Sequence, residues 1–199
     1  MGNVHRRRDG SWESCNNPVC TRKLHLTGVS PAEANLMPQP MLMQLLEIID
    51  PPTVVAESMT AWKDSRGKYH RDFDLPAVID RDGTERWYKH GVAHRAYGRP
   101  AIVKPSGERE WVVNGKRHRD SDLPAVDGQG GQIWYWDGRI HRGHDRPAFL
   151  SADGYKAWYK DDVPHRAGNK PAIIYSTGTK EYWVDGKLVR TTVTTAPVS

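Results

Sequence analysis

Hydrophobic and polar positions recur along residues 62–190 with a period of about 24 residues. A turn glycine marks each copy, at Gly67, Gly91, Gly115, Gly138 and Gly186, and Asp162 takes the remaining slot. Histidine follows three residues later in five copies, arginine follows next in all six, and then come Pro-Ala, apolar residues and a second turn glycine. Four residues after the second glycine stands a large aromatic residue: Trp87, Trp111, Trp134, Trp158 or Tyr182. The chain is therefore predicted to be a repeat array.

Within each copy the pattern is typical of β-strands. Runs such as EREWVV and PAIIYS are rich in β-branched and aromatic residues, and dipeptides such as Asn114-Gly115 bound them. These dipeptides tolerate the positive φ angles of a tight hairpin turn. Proline cannot donate a hydrogen bond to a sheet, so the longer arm of each hairpin should be interrupted before it. The sequence predicts a mainly β fold, an elongated antiparallel sheet of stacked hairpins over residues 61–190, because a single hairpin is marginal in water.

The flanking segments lack this period. Residues 1–30 are predicted to be irregular, and residues 31–60 to contain a short helix and a linker. The helix would begin near Pro40 and end at Asp50, and on or near one face it would carry Met41, Leu45, Ile48 and Ile49. It could cap one end or face of the open sheet, or it could bind a partner or a second copy. Residues 191–199 are predicted to be a flexible tail.

Composition and charge narrow the class of protein. Eight Trp and eight Tyr in a chain that is 37% hydrophobic indicate an aromatic core. No apolar run approaches the roughly 20 residues of a membrane-spanning helix, and the start of the chain lacks a secretion signal, so a soluble cytoplasmic protein is expected. The net charge is +5, and residues 1–60 hold five Lys/Arg against six Asp/Glu. The excess of positive charge therefore lies in the array, where it permits a polyanionic partner without requiring one.

The recurring His-Arg pairs allow three interpretations. Stacked hairpins would place successive histidines about 10 Å apart, which is too far for two ligands of one zinc ion. In a structural role, each histidine would bond to a neighbouring turn and each arginine would pair with an acid; the candidate acids are Asp74, Asp122 and Asp145. In a binding role, the arginines would hold phosphates or carboxylates. A catalytic role would need one asymmetric constellation, and none stands apart from the repeat, so no enzyme is expected.

The candidate binding residues include the whole arginine ladder, which comprises Arg71, Arg95, Arg119, Arg142, Arg166 and Arg190. Two departures from the repeat add to it. Trp136 is an extra aromatic residue, and His144 is a second histidine close to His141. They indicate either a specific contact surface within residues 134–165 or simple drift of the repeat.

The two cysteines carry a weak signal. Cys15 and Cys20 could join His5 and His25 in a zinc site, but the spacing of the cysteines is at the loose end of the usual range and the histidines flank them. A disulfide or two ordinary thiols are the alternatives. No metal and no cofactor are predicted.

The order of turn glycine, histidine, second turn glycine and aromatic residue resembles the MORN-type repeat, in its degenerate bacterial and viral variants. The run WYWDGRIH, residues 134–141, is similar to the core of that repeat. The chain departs from it in placing arginine where the family has glycine after the histidine. The resemblance implies an elongated sheet of stacked hairpins, a scaffold or partner-binding role, and a phage or viral origin.

Two classes of function follow. The first is a non-enzymatic repeat scaffold that mediates protein-protein interaction, with homo-oligomerisation as a further option. The alternative is a protein that binds anionic ligands, either nucleic acid or phospholipid headgroups, through the arginine ladder. No small-molecule substrate is expected.

Overall fold

The computed structural model describes residues 3–6 and 12–15 by their backbone, and residues 50–193 in full. These ranges consist of strands, turns and loops and contain no helix, hence none that could cross a bilayer. The predicted mainly β fold of antiparallel hairpin strands is confirmed. The helix predicted before Asp50 lies outside the described residues, and so do Cys20 and His25.

One hairpin lies near the N-terminus. Strand β1 (Asn3–Arg6) is antiparallel to β2 (Trp12–Cys15), with Asn3 opposite Cys15. The prediction of an irregular segment over residues 1–30 did not include this pairing. NVHR and WESC contain few strongly apolar residues, so the alternation that indicates a strand is weak in both.

The chain divides into two compact units, residues 1–92 and 93–199. The first contains a four-stranded antiparallel sheet made of β3 (Val54–Ala56), β4 (Met59–Ala61), β5 (Val78–Asp80) and β6 (Glu85–Arg86), in that order. β7 (Tyr88–Lys89) follows, and the division between the units falls within β8 (Val92–Ala93).

The second unit contains a larger antiparallel sheet, whose strands neighbour each other in chain order. They are β9 (Ile102–Val103), β10 (Arg109–Glu110), β13 (Val126–Gly128), β14 (Gly131–Ile133), β17 (Phe149–Ser151), β18 (Lys156–Ala157), β21 (Ile173–Ile174), β22 (Lys180–Val184) and β23 (Lys187–Thr192). Three short hairpins alternate with these strands: β11 (Val112–Val113) with β12 (Lys116–Arg117), β15 (Tyr135–Trp136) with β16 (Arg139–Ile140), and β19 (Tyr159–Lys160) with β20 (Val163–Pro164).

Each repeat is interrupted twice. The predicted interruption before the proline is confirmed, since residues 118–125 form no strand between β12 and β13. A second interruption, at the aromatic residue, was not predicted. Trp111 lies between β10 and β11, where its backbone N–H donates to the Ala125 carbonyl (2.7 Å) and its own carbonyl accepts from the His118 N–H (3.1 Å). The tryptophan therefore separates the sheet strand from the short hairpin.

Tryptophan and alanine form the core. In the second unit the exposed fractions of Trp111, Trp134 and Trp158 are 5%, 6% and 8%. The alanine of every Pro-Ala pair in this unit is fully buried: Ala101, Ala125, Ala148 and Ala172. Protein interiors leave few voids, so a larger side chain at these alanines would force its neighbours apart. The recurrence of Pro-Ala is thus a packing requirement.

Two consecutive left-handed residues lie just before the proline of each Pro-Ala pair. In the second unit their φ angles lie between 52° and 75°, at Tyr97 and Gly98, Ser121 and Asp122, His144 and Asp145, and Gly168 and Asn169. The second slot holds glycine, aspartate or asparagine, which adopt this conformation most readily. The carbonyl of that second residue accepts the indole N–H of the next repeat: Gly98 from Trp111 (2.8 Å), Asp122 from Trp134 (2.9 Å), and Asp145 from Trp158 (3.0 Å).

Candidate functional site

The histidines form hydrogen bonds that join one short hairpin to the next. In three copies the imidazole Nδ1 accepts a hydrogen bond from the backbone N–H of the residue before the turn glycine one repeat later: His94 from Asn114 (3.2 Å), His118 from Asp137 (3.2 Å), and His165 from Asp185 (3.1 Å). In the neutral ring the proton then resides on Nε2. The predicted bond from histidine to a neighbouring turn is confirmed in these copies. At His141 the Nδ1 contact is instead with a carboxylate oxygen of Asp161 (3.2 Å), whereas Nδ1 of His165 lies beside both the N–H and a carboxylate oxygen (3.0 Å) of Asp185.

The arginines make three kinds of contact, and Arg166 makes all of them. Its guanidinium carbon lies 3.8 Å from the centroid of the Trp158 ring. Its Nη1 donates to the Pro171 carbonyl (3.1 Å), while Nε and Nη2 donate to the two carboxylate oxygens of Asp145 (2.6 and 3.2 Å). A planar guanidinium can stack on a ring and still direct its donors outward from its edges. The side chain is only 15% exposed, so most of its surface is covered by the protein.

The same contacts recur along the arginine ladder. The guanidinium carbon lies over the aromatic ring for Arg71 and Trp62 (3.5 Å), Arg119 and Trp111 (3.5 Å), Arg142 and Trp134 (3.7 Å), and Arg190 and Tyr182 (3.8 Å). Nη1 donates to the proline carbonyl five residues later for Arg71 and Pro76 (3.5 Å), Arg95 and Pro100 (3.2 Å), Arg119 and Pro124 (3.2 Å), and Arg142 and Pro147 (3.2 Å). Every arginine of the ladder is therefore engaged within its own unit.

The acid that pairs with an arginine belongs to the preceding repeat. Asp122 accepts from Nε and Nη2 of Arg142 (3.0 and 2.8 Å), as Asp145 does from Arg166, so two of the predicted acid partners are confirmed. Asn169 occupies the equivalent slot in the next copy, and its side-chain oxygen accepts from Arg190 (3.1 Å). The sequence indicated which acids would take part, whereas the structure shows that each one bridges two repeats.

These ion pairs lower the pKa of the carboxylates. Hydrogen bonds from Arg166 and from Lys170 (2.7 Å) hold the pKa of Asp145 far below its ordinary value of 3.8. The Arg142 hydrogen bond lowers the pKa of Asp122 in the same way. Both acids therefore keep their charge to a lower pH than an ordinary aspartate does, so the links between repeats resist mild acidification.

A cavity of about 420 Å³ opens beside two arginines of the second unit. Its wall includes Arg142, Arg166, Lys160 and Lys170 and a single acid, Asp145. Lys170 is bonded to that acid, but Lys160 is exposed and makes no ion pair within residues 50–193. The wall thus carries more positive than negative charge, which favours an anion.

Another cavity, of about 440 Å³, lies in the first unit. Two imidazoles stack in its wall, with the ring centroids of His70 and His90 4.1 Å apart. Each contacts a carboxylate: His90 Nδ1 lies 2.8 Å from Asp64, and His70 Nε2 lies 3.2 Å from Asp72. The bond from His90, with one from the Lys68 N–H, lowers the pKa of Asp64 to about 2, and Asp72 raises the pKa of His70.

In the described part of the chain no His, Cys, Asp and Glu side chains group as metal ligands.

Three further residues singled out in the sequence lie on different elements: the third candidate acid, Asp74, and the two departures from the repeat, Trp136 and His144. Asp74 uses its backbone carbonyl to accept from the Trp87 indole (2.9 Å). Trp136 ends β15, is 58% exposed, and meets the His118 ring edge-on with the centroids 4.7 Å apart. His144 is exposed and fills the first left-handed slot before its proline (φ 60°), a slot that Ser121 fills one copy earlier. His144 is therefore a loop residue, and a binding role for it and for Trp136 remains a prediction.

One recurring surface was missed at the sequence level. The three short hairpins of the second unit and the β22–β23 hairpin each carry one apolar and one basic residue directly opposite each other beside the turn. We call these eight exposed residues the tip face: Val113 and Lys116, Trp136 and Arg139, Lys160 and Val163, and Val184 and Lys187. The order is reversed in the third pair, where lysine precedes valine. The reversal hides the pattern when single positions of the copies are compared, although the two residues that flank the turn are one apolar and one basic residue in all four of these hairpins.

Comparison of the chain with protein-family models, with curated proteins and with solved structures finds no match of any of the three kinds.

Proposed function

We propose that this chain is a non-enzymatic repeat scaffold of the MORN type that binds another protein. The observation that supports the proposal is the internal use of the recurring side chains. The histidines bond to turns, and the arginines bond to rings, proline carbonyls and acids of the same unit. Residues that recur because they join repeats serve the architecture, and the function then belongs to the surface that the array exposes. A phage or viral origin and a cytoplasmic location belong to the same proposal.

Affinity capture tests the scaffold. The full chain is immobilised and exposed to a host lysate, with and without nuclease treatment, at low and at high salt, and the heat-denatured chain serves as control. We expect one protein to be retained at both salt concentrations by the folded chain alone. Capture that disappears with nuclease treatment, or with added salt, contradicts the proposal and favours a polyanion, because phosphate contacts weaken steeply as salt rises.

The cavity at Arg142 and Arg166 favours a second candidate function, the binding of an anionic group beside the arginine ladder. Lys160 and Lys170 supply charge that Asp145 only partly balances. Inorganic pyrophosphate is a suitable probe because it carries several charges and no apolar group. We expect it to shift the NMR signals of the His141 and His165 rings with saturation.

A matched pair of variants decides whether that cavity binds pyrophosphate. Lys170→Ala removes a cation from the cavity wall, and Lys156→Ala removes an exposed cation that does not line it. Pyrophosphate affinity should fall about fivefold in the first variant, the loss of roughly 1 kcal/mol, and stay unchanged in the second. Equal affinities in the two variants contradict this function.

A further inference from the structure

We infer that the tip face is the docking surface of the second unit, and that its occupant is an acidic amphipathic helix of a partner protein. This inference rests on the proposed scaffold function and specifies its partner. The tip face holds four hairpins, each presenting one cation and one apolar side chain. Trp136 is the largest apolar residue among them, with 58% of its surface exposed.

Register places the two residues of each pair on the same side of their hairpin. Val113 is the direct partner of Lys116, and Trp136 is the direct partner of Arg139. Directly opposed residues of an antiparallel pair project to the same side of the sheet, with their Cβ atoms about 5 Å apart. A single ligand can therefore contact the cation and the apolar group of a hairpin together.

Backbone hydrogen bonds join the hairpins into one row. The N–H of a turn residue in each hairpin donates to a carbonyl of the hairpin before it: Gly138 to Arg117 (2.9 Å), Asp162 to Ile140 (3.0 Å), and Gly186 to Pro164 (3.1 Å). Side chains of the tip face also cover the next turn. Lys116 packs over Gly138, and Val163 packs over Gly186, where an added Cβ would come within 2.9 Å of a valine methyl group. The four pairs therefore follow one another at about 10 Å, two strand widths.

Three of the four cations of the tip face are available to a ligand. Arg139, Lys160 and Lys187 make no ion pair within residues 50–193, whereas Lys116 pairs with Asp137 (2.9 Å). Of the turn acids, Asp161 contacts His141 of the preceding copy (3.2 Å), and the Asp185 carboxylate lies 3.0 Å from the His165 Nδ1 that accepts the Asp185 N–H. Carboxylates supplied by a partner would satisfy the three cations.

A helix matches the spacing of the row. Seven residues of α-helix rise about 10.5 Å, close to the separation of successive hairpins. An acid and an apolar residue three or four positions apart lie side by side on one helix face, and a spacing of seven residues places one such pair at each hairpin, with the order reversed at Lys160 and Val163. In an extended strand, residues three apart point to opposite sides, so every second pair would face away from the surface.

The turn carboxylates disfavour a flat anionic surface as the occupant. The side chains of Asp137 and Asp185 are 68% and 76% exposed at the turns between the paired residues. Lipid headgroups or nucleic-acid phosphates that approached the tips would meet these carboxylates. A helix that lies along the side of the hairpins contacts the paired residues and does not have to cover the turns.

The test uses the full chain and a labelled synthetic helix. The probe is a fluorescein-labelled peptide of four heptads that presents Glu and Leu on one face, with Ala and Gln elsewhere, and binding is followed by anisotropy. A second peptide carries Lys in place of Glu. We expect saturable binding of the Glu peptide to the wild-type chain. Trp136→Ala should weaken it about tenfold, whereas Leu123→Ala, an exposed apolar residue outside the tip face, should not.

Charge reversal provides the discriminating variant. Arg139→Glu combined with Lys187→Glu should weaken binding of the Glu peptide at least tenfold and strengthen binding of the Lys peptide. The reason is that the two new carboxylates repel the glutamates of the first peptide and attract the lysines of the second. Both sites are exposed and make no ion pair within the described residues, so this variant should keep the circular dichroism spectrum and melting temperature of the wild type. The charge-reversed variant therefore still tests the docking surface if Trp136→Ala does not fold.

Three results would overturn the inference. The first is that the Glu peptide does not bind the wild-type chain saturably. The second is that the Glu peptide binds the charge-reversed chain as well as it binds the wild-type chain. The third is that the charge-reversed chain keeps its binding to the Glu peptide but loses binding to phosphatidylserine vesicles or to an oligonucleotide. The lysate experiment distinguishes this failure from that of the scaffold. If the charge-reversed chain still retains the captured protein, the scaffold function stands and the docking surface lies elsewhere.

Discussion

Arg166 closes over Trp158, with its guanidinium carbon 3.8 Å from the ring centroid, while its Nη1 donates to the Pro171 carbonyl at 3.1 Å. The same guanidinium binds the carboxylate of Asp145 from the preceding repeat. One side chain therefore joins the aromatic residue before it, the proline after it and the loop of the previous copy. Every arginine of the ladder makes the ring contact or the proline contact, which is consistent with the presence of arginine in all six copies.

Replacing Arg166 with lysine should lower the free energy of unfolding by about 1–3 kcal/mol. An ammonium group cannot lie flat on the indole and reach the carbonyl and the carboxylate together. Arg139→Lys is the matched control, since Arg139 is exposed and makes no ion pair in the described part of the chain, and its effect should stay within about 0.5 kcal/mol. Urea titration followed by tryptophan fluorescence measures both. Equal effects would contradict the structural role of the ladder.

Replacing His118 with leucine should speed hydrogen exchange at one backbone amide. The Asp137 N–H donates to Nδ1 of His118, and leucine offers no acceptor. NMR exchange should therefore show faster exchange at Asp137, while the Asn114 amide, bonded to His94, keeps its rate. His118→Asn, whose side-chain oxygen can accept the bond, should restore part of the protection. Unchanged exchange at Asp137 would argue against the bond.

Acidification should weaken the link made by Asp145. The pKa of this carboxylate is lower in the folded chain than its ordinary value of 3.8, so its contribution to stability is present above that value and is lost as the pH falls through the folded pKa. Asp145→Asn should lower the melting temperature at pH 7, and the gap from wild type should narrow below about pH 4. Asp120→Asn, at an exposed carboxylate beside His118, serves as control. A gap that is constant with pH would refute the assignment.

Replacing Gly131 with alanine should destabilise the second unit by about 3 kcal/mol or more, from backbone strain and steric overlap together. Gly131 has φ +134°, and an added Cβ would lie 2.7 Å from the Ser151 Cα and closer still to the Leu150 carbonyl oxygen. Gly107 also has positive φ (+87°), but an added Cβ there meets nothing within 4 Å. Gly107→Ala should thus cost only about 1 kcal/mol. Thermal melts measure the fall in melting temperature of each variant. A similar fall in both would contradict the prediction, because it would mean that the neighbouring backbone moves away from the added Cβ at residue 131.

Much of the fold could be predicted because it repeats. A period of about 24 residues with hairpin dipeptides at its turns identifies strands without any knowledge of their neighbours. The bond from His118 to a turn, and the pairing of Asp122 with an arginine, also follow from residue type and slot. The left-handed loop at His144 and Asp145 was less visible, because histidine, serine, tyrosine and glycine all occupy its first slot.

By itself, the sequence determined which residues share a slot, since identical local patterns fold into identical local geometry. Only the tertiary structure decided which copy supplies each partner. Asp145 binds Arg166 of the following repeat, 21 residues away, because the left-handed loop directs its carbonyl to Trp158 and its carboxylate to the arginine stacked on that ring. The tip face likewise arises only on pairing, since Lys160 and Val163 reverse the order of Val184 and Lys187 along the chain yet occupy the same side of their hairpins. Contacts between copies depend on hairpin register and stacking, which a one-dimensional period does not specify.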